Sequence, residues 1–305
     1  MPFRSAFVLA LLGVAPAVAQ GPSKQDLLWE KMTAQVAAIA GRLDGVMGVS
    51  ILDLTDGRRF ALNADQVFPT ASTIKVPLML ELYRQEQAAR AGATGMARLL
   101  DPYIFDPADL VDASQIMAGL SPGVSVVTNH DLAQFMIAVS DNAATNVLIR
   151  RVGMDRVNAM LRAQGLTQTL LRRKMIDLAA ARRGDENVAT PLEMSRLFEA
   201  IWKGQTLNPT LTQAFLEQLS TAKQSDIPAL LPPGVRVANK PGSLDGVRAD
   251  VGIVYAAHRP FAISVMTTMD RDERAAETAI SDVALAAYLY FEMIGKTSPY
   301  GRIMP

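Results

Sequence analysis

Phe68-Pro69-Thr70-Ala71-Ser72-Thr73-Ile74-Lys75-Val76-Pro77-Leu78-Met79-Leu80 carries an extended segment into an apolar run, with a serine and a lysine at the join. The strand-like part ends at Pro69. The run after Lys75 reads as the buried body of a helix whose N-terminus carries Ser72 and which continues to about Arg90. Pro77 fits only near such a start, where backbone N–H groups lack intrahelical partners. Helical residues three apart share a face, so the Ser72 hydroxyl and the Lys75 amine are expected about one turn apart. A serine hydroxyl is a weak nucleophile until something takes its proton, and a lysine stripped of water can take it.

One such pair carries little weight, because a chain of this size should hold roughly one by chance. This chain has a second, Ser220-Thr221-Ala222-Lys223. Gln224-Ser225-Asp226-Ile227-Pro228 follows it, a turn signal with no buried helix behind it, so the second pair reads as plain surface. The first is followed in order by Ser140-Asp141-Asn142 and Lys240-Pro241-Gly242. Both have bland alternatives: Asp141 or Asn142 as the cap of the next helix, and Lys240-Pro241-Gly242 as a simple turn. A Ser-His-Asp arrangement competes poorly, since the histidines are His130 and His258 alone. Gly119-Leu120-Ser121-Pro122-Gly123 matches the spacing of a nucleophile elbow, but that elbow needs a backbone N–H after the serine, and Pro122 has none.

Composition narrows the class. Of 305 residues, 50% are hydrophobic and 20% charged, enough for a sizeable core in one domain or two merged lobes. Thirty basic residues face thirty acidic ones, so no net field favours nucleic acid or an anionic membrane. The absence of cysteine excludes disulfides, thiolate catalysis and cysteine metal sites. Two distant histidines leave no histidine metal site, and no cofactor is expected. Arg4, the apolar Ala6–Val14 and the small residues Ala17-Val18-Ala19 before Gln20 have the layout of a secretory signal peptide over 1–19. No other stretch is long and apolar enough to anchor the mature chain.

From Lys24 to Leu43 a helical period marks Leu27, Leu28, Met32, Val36, Ile39 and Leu43 as one face. Val46–Leu54 and Arg59–Leu62 flank Thr55-Asp56-Gly57 as a hairpin. Helices are expected over 130–139, 143–152 and 155–164, with 170–189 aperiodic and crowded with arginine. Thr190-Pro191, with Glu193 three after the cap, starts a helix to Lys203. Val235–Lys240, Arg248–Ala256 and Phe261–Thr268 read as strands, and Arg274–Ile294 as a last helix. Strands at both ends and helices between imply an α+β fold. One antiparallel sheet is built from both chain ends, flanked by helices, with an inserted helical lobe. The α/β lobe is expected over about 24–70 and 205–296, the helical lobe over about 71–204.

With its three motifs in this order and at this spacing, the chain from roughly Lys24 to Ile294 resembles the serine β-lactamase and penicillin-binding protein superfamily. Within it, the similarity is to class A β-lactamases. The resemblance implies that Ser72 is the acylated nucleophile and Lys75 its proton acceptor. Ser140 would relay the proton to the leaving nitrogen, and Asn142 would hold the side-chain amide of the substrate. Lys240 would stand on an edge strand, attracting a substrate carboxylate, and the N–H groups of Ser72 and Ser243 would form an oxyanion hole. The implied partner is a small β-lactam or acyl-peptide substrate; a monomer is expected, and charge and hydropathy point to neither nucleic acid nor a membrane anchor in the mature chain.

Three positions depart from that pattern. Pro241 stands where the family usually has a hydroxyl that meets the substrate carboxylate; Ser243 or Arg248 is expected to compensate. Ala113 stands where class A enzymes often place an aromatic at the cleft entrance. Counting back from Thr190-Pro191 puts Lys174 and Leu178 where the family carries its water-activating glutamate and the asparagine beside it. The nearest acid is Asp177, a candidate base, with a salt bridge to a neighbouring arginine as its other reading; Asp185 and Glu186 lie further on. Without a base, acylation outpaces deacylation. The expectation is thus a secreted or periplasmic β-lactamase-like serine hydrolase with slow deacylation. The alternatives are a D-alanyl-D-alanine peptidase or esterase of the same fold, and a non-catalytic sensor of penicillins or muropeptides.

Overall fold

The computed structural model describes residues 21–298 and 300–304; the expected signal peptide lies outside the described residues. The order is α1 (Lys24–Ala40), β1 (Val46–Asp53), β2 (Arg59–Leu62), β3 (Phe68–Pro69), a 3-10 turn over Ala71–Ile74 and α2 (Lys75–Arg90). There follow β4 (Pro102–Ile104), β5 (Val126–Thr128), α3 (Asn129–Ala138), α4 (Asn142–Val152), α5 (Met154–Ala163), α6 (Leu178–Arg182) and β6 (Val188–Ala189). The chain closes with α7 (Pro191–Trp202), α8 (Pro209–Leu219), β7 (Val237–Leu244), β8 (Val247–Val254), β9 (Phe261–Thr268) and α9 (Glu273–Gly295).

Five strands form one antiparallel sheet in the order β2-β1-β9-β8-β7, so the two ends of the chain meet where β1 pairs with β9. Its two faces follow from the two-residue period of a strand. On β1, Met47, Val49 and Ile51 pack in the cluster shared with α1 and α9, where Trp29 meets Tyr290 edge-on at 5.3 Å and Phe291 stacks on Phe261 at 4.4 Å. Gly48, Ser50 and Leu52 point the other way. A side chain on Gly48 would stand 2.6 Å from Phe68 and 2.8 Å from Pro191, so the absence of one lets α7 lie close. Ser50 and Ser195 then share a hydrogen bond of 2.7 Å across that contact.

Several sequence expectations are corrected here. Leu27 is 52% exposed, and the buried face of α1 is Trp29, Met32, Val36 and Ile39. The expected helix, with Ser72 at its N-terminus and running to about Arg90, is split, with Ser72 in the 3-10 turn and α2 starting only at Lys75. The helix α7, assigned to the helical lobe, packs on the second face of the sheet against β1 and β9. Helix α8 was not anticipated, although Asn208 caps it, Pro209 occupies its first turn and Leu211, Phe215 and Leu219 bury one side.

Candidate active site

The turn that carries Ser72 is set between two elements that force it tight. Ala71, just before the serine, takes a left-handed φ of 46°, a conformation costly for a residue with a side chain and held only by its surroundings. Those surroundings include β7. A side chain on Gly242 would lie 2.7 Å from the Ser72 nitrogen and 2.9 Å from the Thr70 carbonyl. Glycine there lets the edge strand come against the turn, which brings Lys240 and Ser243 beside Ser72.

Ser140 is the other tight point, with φ 60° between α3 and α4. Asp141 makes that corner rigid: one carboxylate oxygen caps α4 at Ala144 N, 3.0 Å, and the other accepts from Ile116 N and Met117 N. The capping role foreseen for this stretch therefore coexists with the cluster that follows. Ser140 Oγ accepts from Lys75 Nζ at 2.9 Å and from Lys240 Nζ at 3.1 Å, and donates to Ser72 Oγ at 2.9 Å. Lys75 also donates to the Ser140 carbonyl at 2.7 Å and to Asn142 Oδ1 at 2.9 Å. Asn142 gives its N–H to the Asp112 carbonyl.

Lys75 and Lys240 are 0% and 1% exposed. Burial, with Lys240 next to it, holds the Lys75 pKa well below that of a free lysine, against the pull of Asp141. Burial likewise brings Lys240 down to about 7, opposed by Asp250. Desolvation thus leaves the amine of Lys75 able to accept a proton.

The cleft beside Ser72 has a volume of about 650 Å³. One of its walls is the segment Ala222–Asp226, so Lys223, read from sequence as plain surface, stands in the cleft lining. It is there because α8 ends at Leu219 and delivers the following turn to the edge of β7. Asp250, fully buried, fixes that wall: it accepts from Asp226 N at 3.1 Å, Ile227 N at 3.0 Å and Asn239 Nδ2 at 2.8 Å. Gln115, Asp226 and Asp250 carry no motif to announce them, whereas Lys223 belongs to the second serine–lysine pair.

The remaining predicted residues lie as follows. Ser243 is exposed at the cleft edge. Arg248 lines the cleft too, but its guanidinium is bonded to Glu277 at 2.8 Å and to Glu273, which offsets the charge expected to compensate for Pro241. Asp177 does not line the cleft and makes no salt bridge among the described residues. It caps α6, accepting from Ala180 N at 2.9 Å. Lys174 is exposed and outside the cleft lining; Asp185 and Glu186, half-buried, also lie outside it and each pairs with an arginine. The loop is pinned instead by Asn146, bonded both ways to the Met175 backbone at 2.8 and 3.1 Å. Ala113 is exposed, leaving that rim without an aromatic wall, and Ser121 sits in an exposed loop.

Residues 31–291 match a family described as the Beta-lactamase enzyme family. Beta-lactamase CARB-3 of Pseudomonas aeruginosa is 26% identical over 266 residues, covering 85% of this chain and 88% of that protein. Beta-lactamase CTX-M-25 of Escherichia coli is 27% identical, covering 94% of each. Among solved structures, a β-lactamase from Sphaerobacter thermophilus superposes with a TM-score of 0.75 at 32% identity, over 85% of this chain and 96% of that one. A PBP-A mutant solved as an acyl-enzyme complex with penicillin-G superposes with a TM-score of 0.76 at 25% identity, over 86% and 97%.

Proposed function

The chain belongs to the Beta-lactamase enzyme family, and from that premise we propose that it is a serine hydrolase acylated at Ser72 by β-lactams, with slow release of the acyl group. The observation that carries the reading is Ser140 Oγ, held within hydrogen-bond distance of Ser72, Lys75 and Lys240 at once. In its neutral form Lys75 accepts the proton of Ser140 as Ser140 takes that of Ser72, and Ser72 Oγ attacks the lactam carbonyl. Negative charge builds on the carbonyl oxygen beside the N–H groups of Ser72 and Ser243, the pair assigned to stabilise it. When the C–N bond breaks, the Ser140 hydroxyl protonates the departing nitrogen and is reprotonated by Lys75. Lys240 favours the electron-rich forms of both hydroxyls and attracts an anionic substrate.

Hydrolysis of the acyl-enzyme needs a base for water. Among the described residues, no carboxylate of the 170–189 loop lines the cleft, which supports slow deacylation. The same observation favours the second reading, a peptidase or esterase of this fold or a sensor that is acylated without turnover. The N-terminal segment is assigned to export, placing the mature chain outside the cytoplasm.

Intact-protein mass spectrometry after brief exposure to penicillins tests the proposal, because it reports acylation and its persistence together. A single adduct mapped to Ser72 and lasting well beyond the mixing time is expected. Adducts on another serine, or undiminished labelling of Ser72→Ala, would overturn it.

A further inference from the structure

At the far end of the β7–β8 ladder from the turn joining those strands, Arg236 and Tyr255 are bonded backbone to backbone at 3.0 Å. Together with Trp202 and the first turns of α8 they line a second cavity of about 410 Å³, a volume within the range of small-molecule sites. Two aromatic rings, Trp202 and Tyr255, stand in its lining. Tyr255 meets Trp202 edge-on at 5.8 Å, and the Arg236 guanidinium lies over the Tyr255 ring, 4.6 Å from its centre.

Its charge has one sign. The charged side chains on the lining are Lys203 and Arg236, with no acid among them. Lys203 is paired with Glu199 at 2.6 Å, whereas Arg236 has no carboxylate partner among the described residues. Arg236 uses Nε to reach Ser220 Oγ at 3.0 Å, so both terminal nitrogens of its fork are left for another acceptor. A planar guanidinium already stacked on an aromatic ring is set to take a carboxylate with two parallel hydrogen bonds. Pro209, Thr212, Gln213 and Leu216 along α8 complete the lining.

We propose that this cavity is a binding site for a small aromatic carboxylate, separate from the Ser72 cleft. Its ring packs against Trp202 and Tyr255 and its carboxylate pairs with Arg236. An aliphatic acid would lose the ring contacts, and a neutral aromatic amide would leave Arg236 without its ion pair.

The chain has two tryptophans, and Trp29 lies on the opposite face of the sheet in the α1–α9 cluster, so emission reports on Trp202 directly. Titration with phenylacetate should give a saturable change in emission. That change should persist in Trp29→Phe and vanish in Trp202→Phe. Phenylacetamide and acetate should bind about tenfold more weakly or worse, as should phenylacetate to Arg236→Gln, with Arg236→Lys between. Circular dichroism of each variant checks the fold, and Arg236 is exposed enough for its replacement to be tolerated. No saturable response at millimolar phenylacetate, an equal response to phenylacetamide, or undiminished binding by folded Arg236→Gln would overturn the proposal.

Discussion

Lys75 and Ser72 share no hydrogen bond, although they stand three residues apart in the chain; Lys75 Nζ donates to Ser140 Oγ, and Ser140 Oγ donates to Ser72 Oγ at 2.9 Å. The 3-10 winding of Ala71–Ile74 contributes to this, since α2 begins only at Lys75. The route for a proton from Ser72 to Lys75 therefore runs through a residue 68 positions along the chain.

If the route is shared, the two ends of it should not contribute independently. Ser140→Ala and Lys75→Ala are each expected to slow β-lactam acylation by roughly 10²–10⁴-fold. The double variant should be little slower than the worse single one, as for groups acting as a unit. Stopped-flow acylation of the three proteins decides it. Losses that multiply would show that Lys75 reaches Ser72 by itself.

Gly242→Ala should impair the site more than its small size implies. The added carbon would lie 2.7 Å from the Ser72 nitrogen, so the edge strand or the serine turn must shift. Overpacking of this kind costs about 1–3 kcal/mol. Thermal melts should show that loss, and acylation by a reporter β-lactam should fall at least about tenfold in the protein that remains folded. Wild-type acylation by the variant would mean the approach of β7 is not needed.

Asp177 is expected to matter for its cap alone. Asp177→Asn keeps a good capping oxygen and should leave both stability and acyl-enzyme lifetime unchanged, while Asp177→Ala should cost about 1 kcal/mol. A lifetime markedly lengthened in Asp177→Asn, followed by mass spectrometry, would reinstate it as the base for water.

Asp226 should make the protein less stable as pH rises. Burial, with Asp250 close by, raises its pKa from 3.8 to about 7. Between those values the folded state holds a proton the unfolded state has lost, so stability falls with pH over that window. Asp226→Asn should therefore melt higher than wild type at pH 8, by an amount worth about 1 kcal/mol once partial exposure is allowed for. The difference should disappear below pH 4. A variant less stable than wild type at pH 8 would show that the charged carboxylate is stabilised by the cleft.

What the sequence settled by itself was local. Capping signals and hydrophobic period placed most helices and the five-stranded sheet, because a cap or a strand period is decided within a few residues. The order of the three motifs pointed to the family in the same way. Tertiary packing decided what the local signals could not reach. It set α7 on the sheet through Gly48. It brought Ser140 between Lys75 and Lys240, turned Lys223 into the cleft from the end of α8, and tied up Arg248 with two acids on or beside α9. The Ser140 and Arg248 meetings join groups 25 to 100 positions apart at hydrogen-bond distance. Such meetings are fixed by how whole elements pack, because the strength of a hydrogen bond or ion pair depends on separation in space and leaves no periodic trace along the chain.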